Sequence, residues 1–263
     1  MLNSVILSIV FISLALVLYI GAAILLFLKK EKFGKALLYL GWGFNTALIA
    51  LNWIVSKHPP MANIYQVMGV LGFSFVPLYL LLKFKDKIQW VAPYFATAAA
   101  VPMVGALVLI EKSGSAWGLM PALQSIWFVP HVFSYMLAYA MAAVAFVLTV
   151  VALFDKGSDM QKQFDNAIYC VMRICLAFTT FGLFLGAIWA EEAWGNYWSW
   201  DIKETWSLIT WILYLLYFHC RTRKKLQKYA RTFVIIAFAS LLVTFLLVNY
   251  FPQMASGLHS YGA

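Results

Sequence analysis

Charged residues are scarce in this sequence. They make up 11% of its 263 residues, with 10 acidic side chains against 19 basic ones, whereas hydrophobic residues reach 64%. A water-soluble core of this length cannot hide so much apolar surface. We therefore predict an all-α, polytopic membrane helix bundle. A β-barrel is disfavoured because the apolar runs are continuous and do not alternate with polar residues.

Eight apolar runs approach the roughly 20 residues that a membrane-spanning helix needs. The predicted spans are residues 4–28, 36–56, 64–83, 90–110, 126–154, 167–190, 203–220 and 232–251. No soluble module separates them, so a single transmembrane domain is predicted over 1–263. The first span lacks a basic n-region before it and an obvious small-residue cleavage site, so we do not interpret it as a removable signal peptide and expect it to remain as a spanning helix.

Basic residues are nearly absent from alternate loops. Fifteen of the 19 lie after spans one, three, five and seven, while the other loops hold only Lys57, Lys112 and Lys203, and Arg173 lies inside span six. The positive-inside rule then places both termini and the loops after spans two, four and six outside the cytoplasm. This distribution also explains the net charge of +9, so no nucleic-acid partner is predicted.

Cysteine is rare as well. Cys170, Cys175 and Cys220 form no CxxC pair, and all three lie within or at the cytoplasmic ends of predicted spans. They offer neither a disulfide framework nor a thiol relay. We interpret them as small buried apolar residues.

Tryptophan, by contrast, is concentrated in one place. Six of the 11 tryptophans fall between residues 189 and 211, together with the carboxylates of Glu191, Glu192, Asp201 and Glu204. An aromatic belt is one interpretation, although a belt distributes such residues over many helix ends. A functional surface is the other, because clustered indoles can stack on a large flat ligand such as a porphyrin.

The order of the residues in this cluster carries a family resemblance. Residues 194–206 read Trp-Gly-Asn-Tyr-Trp-Ser-Trp-Asp-Ile-Lys-Glu-Thr-Trp, which closely resembles the WWD signature WGxxWxWDxxExW of haem-handling proteins. The following residues 207–221 look like the next helix of the CcsA/ResC-type proteins of System II cytochrome c biogenesis. Ile202 departs from the family, which usually has proline there. The resemblance implies an extracytoplasmic haem-binding loop at about 190–206 that uses Trp194, Gly195, Trp198, Trp200, Asp201, Glu204 and Trp206.

Two of the four histidines are predicted to lie on the same membrane side as this loop. His131 is at the outer end of span five, and His259 lies just beyond span eight. Two imidazoles on opposite sides of a porphyrin can complete the octahedral coordination of iron. The resemblance implies that these two residues are the axial ligands of an external haem.

The other two histidines lie elsewhere. His219 is 15 residues after Glu204, about 22 Å along a helix, so the two cannot serve one iron. The resemblance implies that His219 belongs to a second, inner haem site with a histidine of a partner protein, whereas a helix cap near a basic loop is the alternative. His58, beside Pro59, is interpreted as structural.

The resemblance also implies a function. The chain would export and present haem b as a substrate, holding it so that cysteines of a CxxCH peptide in apocytochrome c add to its vinyl groups. Its partners would be a CcsB/ResB-type protein, within a cytochrome c synthase complex, and a thioredoxin-like thiol reductant. The location would be the cytoplasmic membrane, or the thylakoid membrane in a plastid. No catalytic residue is expected, and Asp201 and Glu204 would organise the loop by capping and hydrogen bonding.

Two other classes of membrane protein remain as alternatives. A respiratory cytochrome b-like electron-transfer subunit typically carries paired histidines about a dozen residues apart on the same helices, and this sequence has no such pair. A small-molecule transporter is expected to show inverted repeats, interrupted helices or intramembrane charges. Of these features, the sequence offers only Arg173, a charged residue inside a predicted span. Within the WWD group, CcmC-like haem delivery proteins are expected to have six spans.

Overall fold

All the regular structure in the described residues is helical. A computed structural model describes residues 2–111, 119–155 and 157–247. The α-helices in these ranges are α1 (Leu2–Phe27), α2 (Glu31–Ser56), α3 (Ile64–Lys85), α4 (Ala92–Val108), α5 (Phe128–Phe154), α6 (Ser158–Trp194), α7 (Ile202–Thr222) and α8 (Ala230–Leu242). A π-helical turn, Val243–Leu247, continues α8. The prediction of an all-α fold is confirmed.

Six of these helical segments are long and apolar enough to cross a bilayer. They are α1, α2, α3, α5, α6 and the segment Gln227–Leu246 that contains α8. The apolar α4 is shorter, at 17 residues, and α7 is not among the six. The predicted membrane helix bundle is confirmed, while the count of eight spans and the side of the termini stay predictions.

Helix α6 is longer than its predicted span of 167–190. Its 37 residues extend about 55 Å, which exceeds the hydrocarbon thickness of about 30 Å. A helix satisfies its own backbone hydrogen bonds and therefore need not end at the membrane surface. Helix α6 accordingly begins at Ser158, nine residues before its predicted start, and ends at Trp194, four residues after its predicted end.

The first compact unit covers Met1–Leu123. Its four helices pack in a ring, with α1 and α3 each contacting α2 and α4. Pro77 lies inside α3 and has no N–H to donate to the carbonyl of Phe73. The indole Nε1 of Trp42 donates to that oxygen at 3.2 Å, and the two rings stack 5.3 Å apart. A neighbouring helix thus satisfies the group that proline leaves open.

The second compact unit covers Gln124–Ala263, and α5 to α8 pack in a similar ring. Because consecutive helices run in opposite directions, the start of α5, the end of α6 and the start of α7 lie at one end of this unit. The three cysteines are buried and form no disulfide among the described residues, which confirms their interpretation as small core residues. The prediction of a single domain over 1–263 stays a prediction.

Candidate functional site

The imidazole of His131 is held by the backbone of the neighbouring helix. It lies in the first turn of α5, and its Nδ1 is 2.9 Å from the carbonyl oxygen of Gly182 in α6. A carbonyl oxygen can only accept a hydrogen bond, so Nδ1 carries the hydrogen and Nε2 keeps the lone pair. Metal-binding histidines are oriented by the same kind of bond from the nitrogen that does not bind the metal. His131 therefore has the tautomer that a ligand through Nε2 requires.

Two glycines of α6 make room for rings of α5. A Cβ on Gly186 would lie 2.6 Å from both Cε1 and Nδ1 of His131, and one on Gly182 would lie 3.0 Å from the ring of Tyr135. The glycines are four residues apart and share one face of α6. Sequence reasoning missed them, although a Gly-x-x-x-Gly spacing inside an apolar span indicates close helix packing.

Trp189 connects His131 to the tryptophan cluster. Its indole stacks on the imidazole with centroids 5.4 Å apart and planes at 22°. It is 2% exposed, and the ring of Trp194 packs edge-on against it at 4.8 Å. The structure thus brings two predicted site residues, His131 and Trp194, to the same end of the second unit through one residue that was not predicted.

The loop after α6 is shaped by two residues in left-handed backbone conformations. Gly195, with φ of 75°, ends α6, and its N–H donates to the carbonyl of Glu191 at 2.8 Å. Trp200 has φ of 60°, which is uncommon for a residue with a side chain. A Cβ on Gly195 would meet nothing within 4 Å, so its conformation rather than its packing favours glycine. Its predicted contact with a cofactor stays a prediction.

Asp201 and Glu204 tie this loop to the start of α7. They form a capping box, in which the Glu204 N–H donates to Asp201 Oδ1 at 2.7 Å and the Asp201 N–H donates to Glu204 Oε2 at 3.3 Å. The same Oε2 accepts from the N–H of Ser199 at 2.8 Å and from its hydroxyl at 3.2 Å. Glu204 is buried. Both carboxylates therefore organise the loop, as the sequence indicated.

Replacing Glu204 by alanine is expected to loosen this loop. The change removes the acceptor of two backbone N–H groups and one hydroxyl, and a capping interaction alone contributes about 1 kcal/mol. We expect a stability loss of about 2 kcal/mol and faster amide exchange over residues 195–201. Hydrogen-exchange mass spectrometry would measure it, with Glu191→Ala as the control. Equal exchange in both variants would contradict the role given to Glu204.

The tip of the loop presents aromatic surface. Trp200 is 69% exposed, and Tyr197 is 61% exposed. The ring of Trp198 packs edge-on against Trp200 at 5.7 Å, and its Nε1 is buried without a hydrogen-bond partner among the described residues. Trp206 is half-buried in the second turn of α7. Exposed aromatic rings beside an indole N–H that has no hydrogen-bond partner among the described residues suit a large flat ligand that carries an oxygen acceptor.

The structure describes two of the remaining histidines, His219 and His58. His219 is exposed in the last turn of α7, at the opposite end of that helix, and its carbonyl accepts from the hydroxyl of Thr222 at 2.9 Å. His58 is buried in the first unit, with Nδ1 2.9 Å from the carbonyl oxygen of Pro59. His259, the second predicted external ligand, lies outside the described residues.

Comparisons with known proteins agree on one family. Residues 61–256 match the family described as "Cytochrome C assembly protein". The "Cytochrome c biogenesis protein CcsA" of Solanum lycopersicum is 30% identical over 260 residues, covering 83% of this chain and 82% of that protein. The protein of the same description from Mesostigma viride is 30% identical over 263 residues, covering 85% of each.

A solved structure shares the fold. The chain described as "Cytochrome c Heme Lyase CcmF" superposes with a TM-score of 0.66 at 22% identity, over 93% of the present chain. The present chain spans about half of that protein, 47% of its length. At this level of identity, the likeness shows the architecture alone.

Proposed function

The chain belongs to the cytochrome c assembly protein family as a CcsA-type member, and from this premise we propose that it holds haem for attachment to apocytochrome c. Its part in cytochrome c maturation follows from the family. The proposal concerns the site. The observation that carries it is the hydrogen bond from His131 Nδ1 to the carbonyl of Gly182, which puts the lone pair of the imidazole on Nε2, the nitrogen that would bind iron. His131 lies at the end of the unit that carries the WWD loop, residues 190–206.

In this proposal, haem is the substrate, and the chain positions it. His131 and His259 are the two axial ligands, and the aromatic rings of Trp194, Trp198 and Trp200 brace the porphyrin. The Nε1–H of Trp198, which has no hydrogen-bond partner among the described residues, would donate to a carboxylate of the haem. Asp201 and Glu204 hold the loop in shape and do not contact the haem, because carboxylates placed against haem propionates would repel them.

The chemistry of attachment then needs little from this chain. Each thiol of a CxxCH peptide adds across one vinyl double bond, forming a C–S bond at one carbon while a hydrogen goes to the other. No electrons are gained or lost, but the thiols must be reduced, which explains a thioredoxin-like thiol reductant as a partner. The chain contributes proximity and orientation. The peptide histidine then replaces one axial ligand.

The finer assignments belong to the same proposal. The haem is haem b, because this form carries the vinyl groups, and a CcsB/ResB-type protein completes the synthase complex. His219 serves an inner site with a histidine of that partner. The WWD loop faces the extracytoplasmic side of the cytoplasmic or thylakoid membrane, since the basic loops lie at the other ends of the helices.

The absorption spectrum of the detergent-purified full chain, oxidised and reduced, tests the proposal. We expect the bands of low-spin haem with two imidazole ligands. Added imidazole should leave these bands unchanged, because both axial positions are already filled. A chain that neither retains haem during purification nor binds it on titration would contradict the proposal.

A second measurement separates this function from that of an electron-transfer subunit, which would also bind haem. We expect the chain to restore covalently bound haem, detected by haem staining of denatured c-type cytochrome, in cells that lack their own CcsA-type protein. Haem binding without restoration, when the matching partner protein is co-expressed, would favour the electron-transfer alternative.

A further inference from the structure

The guanidinium groups of two arginines lie over the same tyrosine ring, at the end of the second unit opposite the WWD loop. The Cζ atom of Arg173 in α6 lies 5.1 Å from the ring centroid of Tyr169, and the Cζ of Arg221 at the end of α7 lies 4.7 Å from the same centroid. The two guanidinium carbons are therefore no more than about 10 Å apart. The edge of Phe218 packs against the tyrosine at 5.8 Å and holds its position. Two positive charges are thus fixed near each other in one seam between helices.

The carboxylate of Asp165, close to this pair, is bound by a third arginine. Asp165 lies one turn before Tyr169 on α6, and its Oδ1 accepts from Nε of Arg231 at 2.9 Å and pairs with the Nη2 of that residue at 2.8 Å. Arg221 makes no ion pair with any carboxylate in the described ranges.

The position of Arg173 within a predicted membrane span makes its positive charge costly in hydrocarbon. It lies six residues inside the predicted span 167–190, about 9 Å along the helix, and its side chain is exposed on the surface of the unit. A long cationic side chain at this depth is stabilised when its head reaches the phosphate level of the lipid. Its stacking on Tyr169 directs it toward the end of α6 where that level lies.

We propose that Arg173 and Arg221, supported by Tyr169, bind the phosphate group of an anionic phospholipid in the leaflet at this end of the unit. A guanidinium matches phosphate through two parallel N–H groups, and basic pockets between membrane helices suit such headgroups. His219 is two residues from Arg221, so it projects from the other side of α7. The site is therefore separate from the proposed inner haem ligand and does not depend on the proposed function.

The test measures lipid retention by the full chain. The protein is placed in nanodiscs of phosphatidylcholine with or without phosphatidylglycerol, released into mild detergent, and examined by native mass spectrometry. We expect the wild type to retain phosphatidylglycerol in preference to phosphatidylcholine. The double variant Arg173→Gln/Arg221→Gln should reduce that preference by about 25-fold, or about fivefold for each guanidinium. Tyr169→Leu should weaken it, whereas Tyr169→Phe should retain it.

A matched control removes the same charge elsewhere. Lys224→Gln/Lys225→Gln, at two exposed loop positions, should change the preference by no more than about twofold. Equal losses in the two double variants would overturn the proposal, as would a wild type without preference. Displacement of the lipid by inorganic phosphate alone would show a site for the free ion instead. The single variants Arg173→Lys and Arg221→Lys keep the charge, and a reduced preference in them would support recognition by the guanidinium fork if the double variant does not fold.

Discussion

Replacing His131 by alanine is expected to lower the haem affinity of the purified chain by about 100-fold and to abolish cytochrome c maturation. Even the groups that only orient a metal ligand change affinity by about 10-fold to 100-fold when they are replaced, and the ligand itself contributes at least as much. The substitution also leaves a ring-sized space between Trp189 and the carbonyl of Gly182. Added imidazole should enter this space and restore the low-spin spectrum. Haem titration followed by absorption spectroscopy measures both effects.

His58→Ala is the matched control for this substitution. That imidazole also has its Nδ1 against a backbone carbonyl, but the partner is Pro59 in its own loop and the residue is in the first unit. We expect its haem spectrum and maturation activity to remain those of the wild type. Wild-type haem affinity in the His131 variant would remove this residue from the proposed ligand set.

Replacing Gly186 by alanine should have the next largest effect on haem affinity, although the new methyl group is neither charged nor polar. Its Cβ would lie 2.6 Å from Cε1 and Nδ1 of His131, closer than carbon atoms approach in folded proteins. The ring must shift, and its hydrogen bond to Gly182 is then lost. Overpacking costs about 1–3 kcal/mol, so we expect haem affinity to fall about tenfold. Haem titration of the purified variant measures this change.

Gly43→Ala separates this effect from the general effect of adding a methyl group to a helix. Gly43 also lies inside a helix, and a Cβ there would meet nothing within 4 Å. Alanine is favoured over glycine in a helix by about 1 kcal/mol, so this control should be at least as stable as the wild type and bind haem equally well. Imidazole should not rescue the Gly186 variant, because the displaced His131 ring still occupies the space. Rescue to the same extent as in His131→Ala would contradict a steric cause.

Much of the fold was accessible from composition and periodicity. A continuous apolar run specifies a helix in lipid because the backbone has no other partner for its hydrogen bonds, and the predicted runs correspond to α1 to α8. The capping of α7 could also be predicted from the sequence. The pattern Asp201-x-x-Glu204 indicates a capping box because both partners lie within one turn. The extent of α6 was less accessible, because polar residues at a membrane surface do not decide where a helix ends.

The geometry around His131 required the tertiary structure. Nothing local indicates that its Nδ1 faces Gly182, 51 residues away, or that Trp189 stacks on its ring. These contacts depend on the rotation and height of α5 relative to α6, which the helical repeat alone leaves open. By itself, the sequence determined that the chain is a helical membrane protein with a tryptophan-rich loop that resembles the WWD signature, because those features rest on composition and on residues close in the chain. Only the tertiary structure decided which nitrogen of His131 keeps its lone pair, because a tautomer follows from a partner that folding supplies.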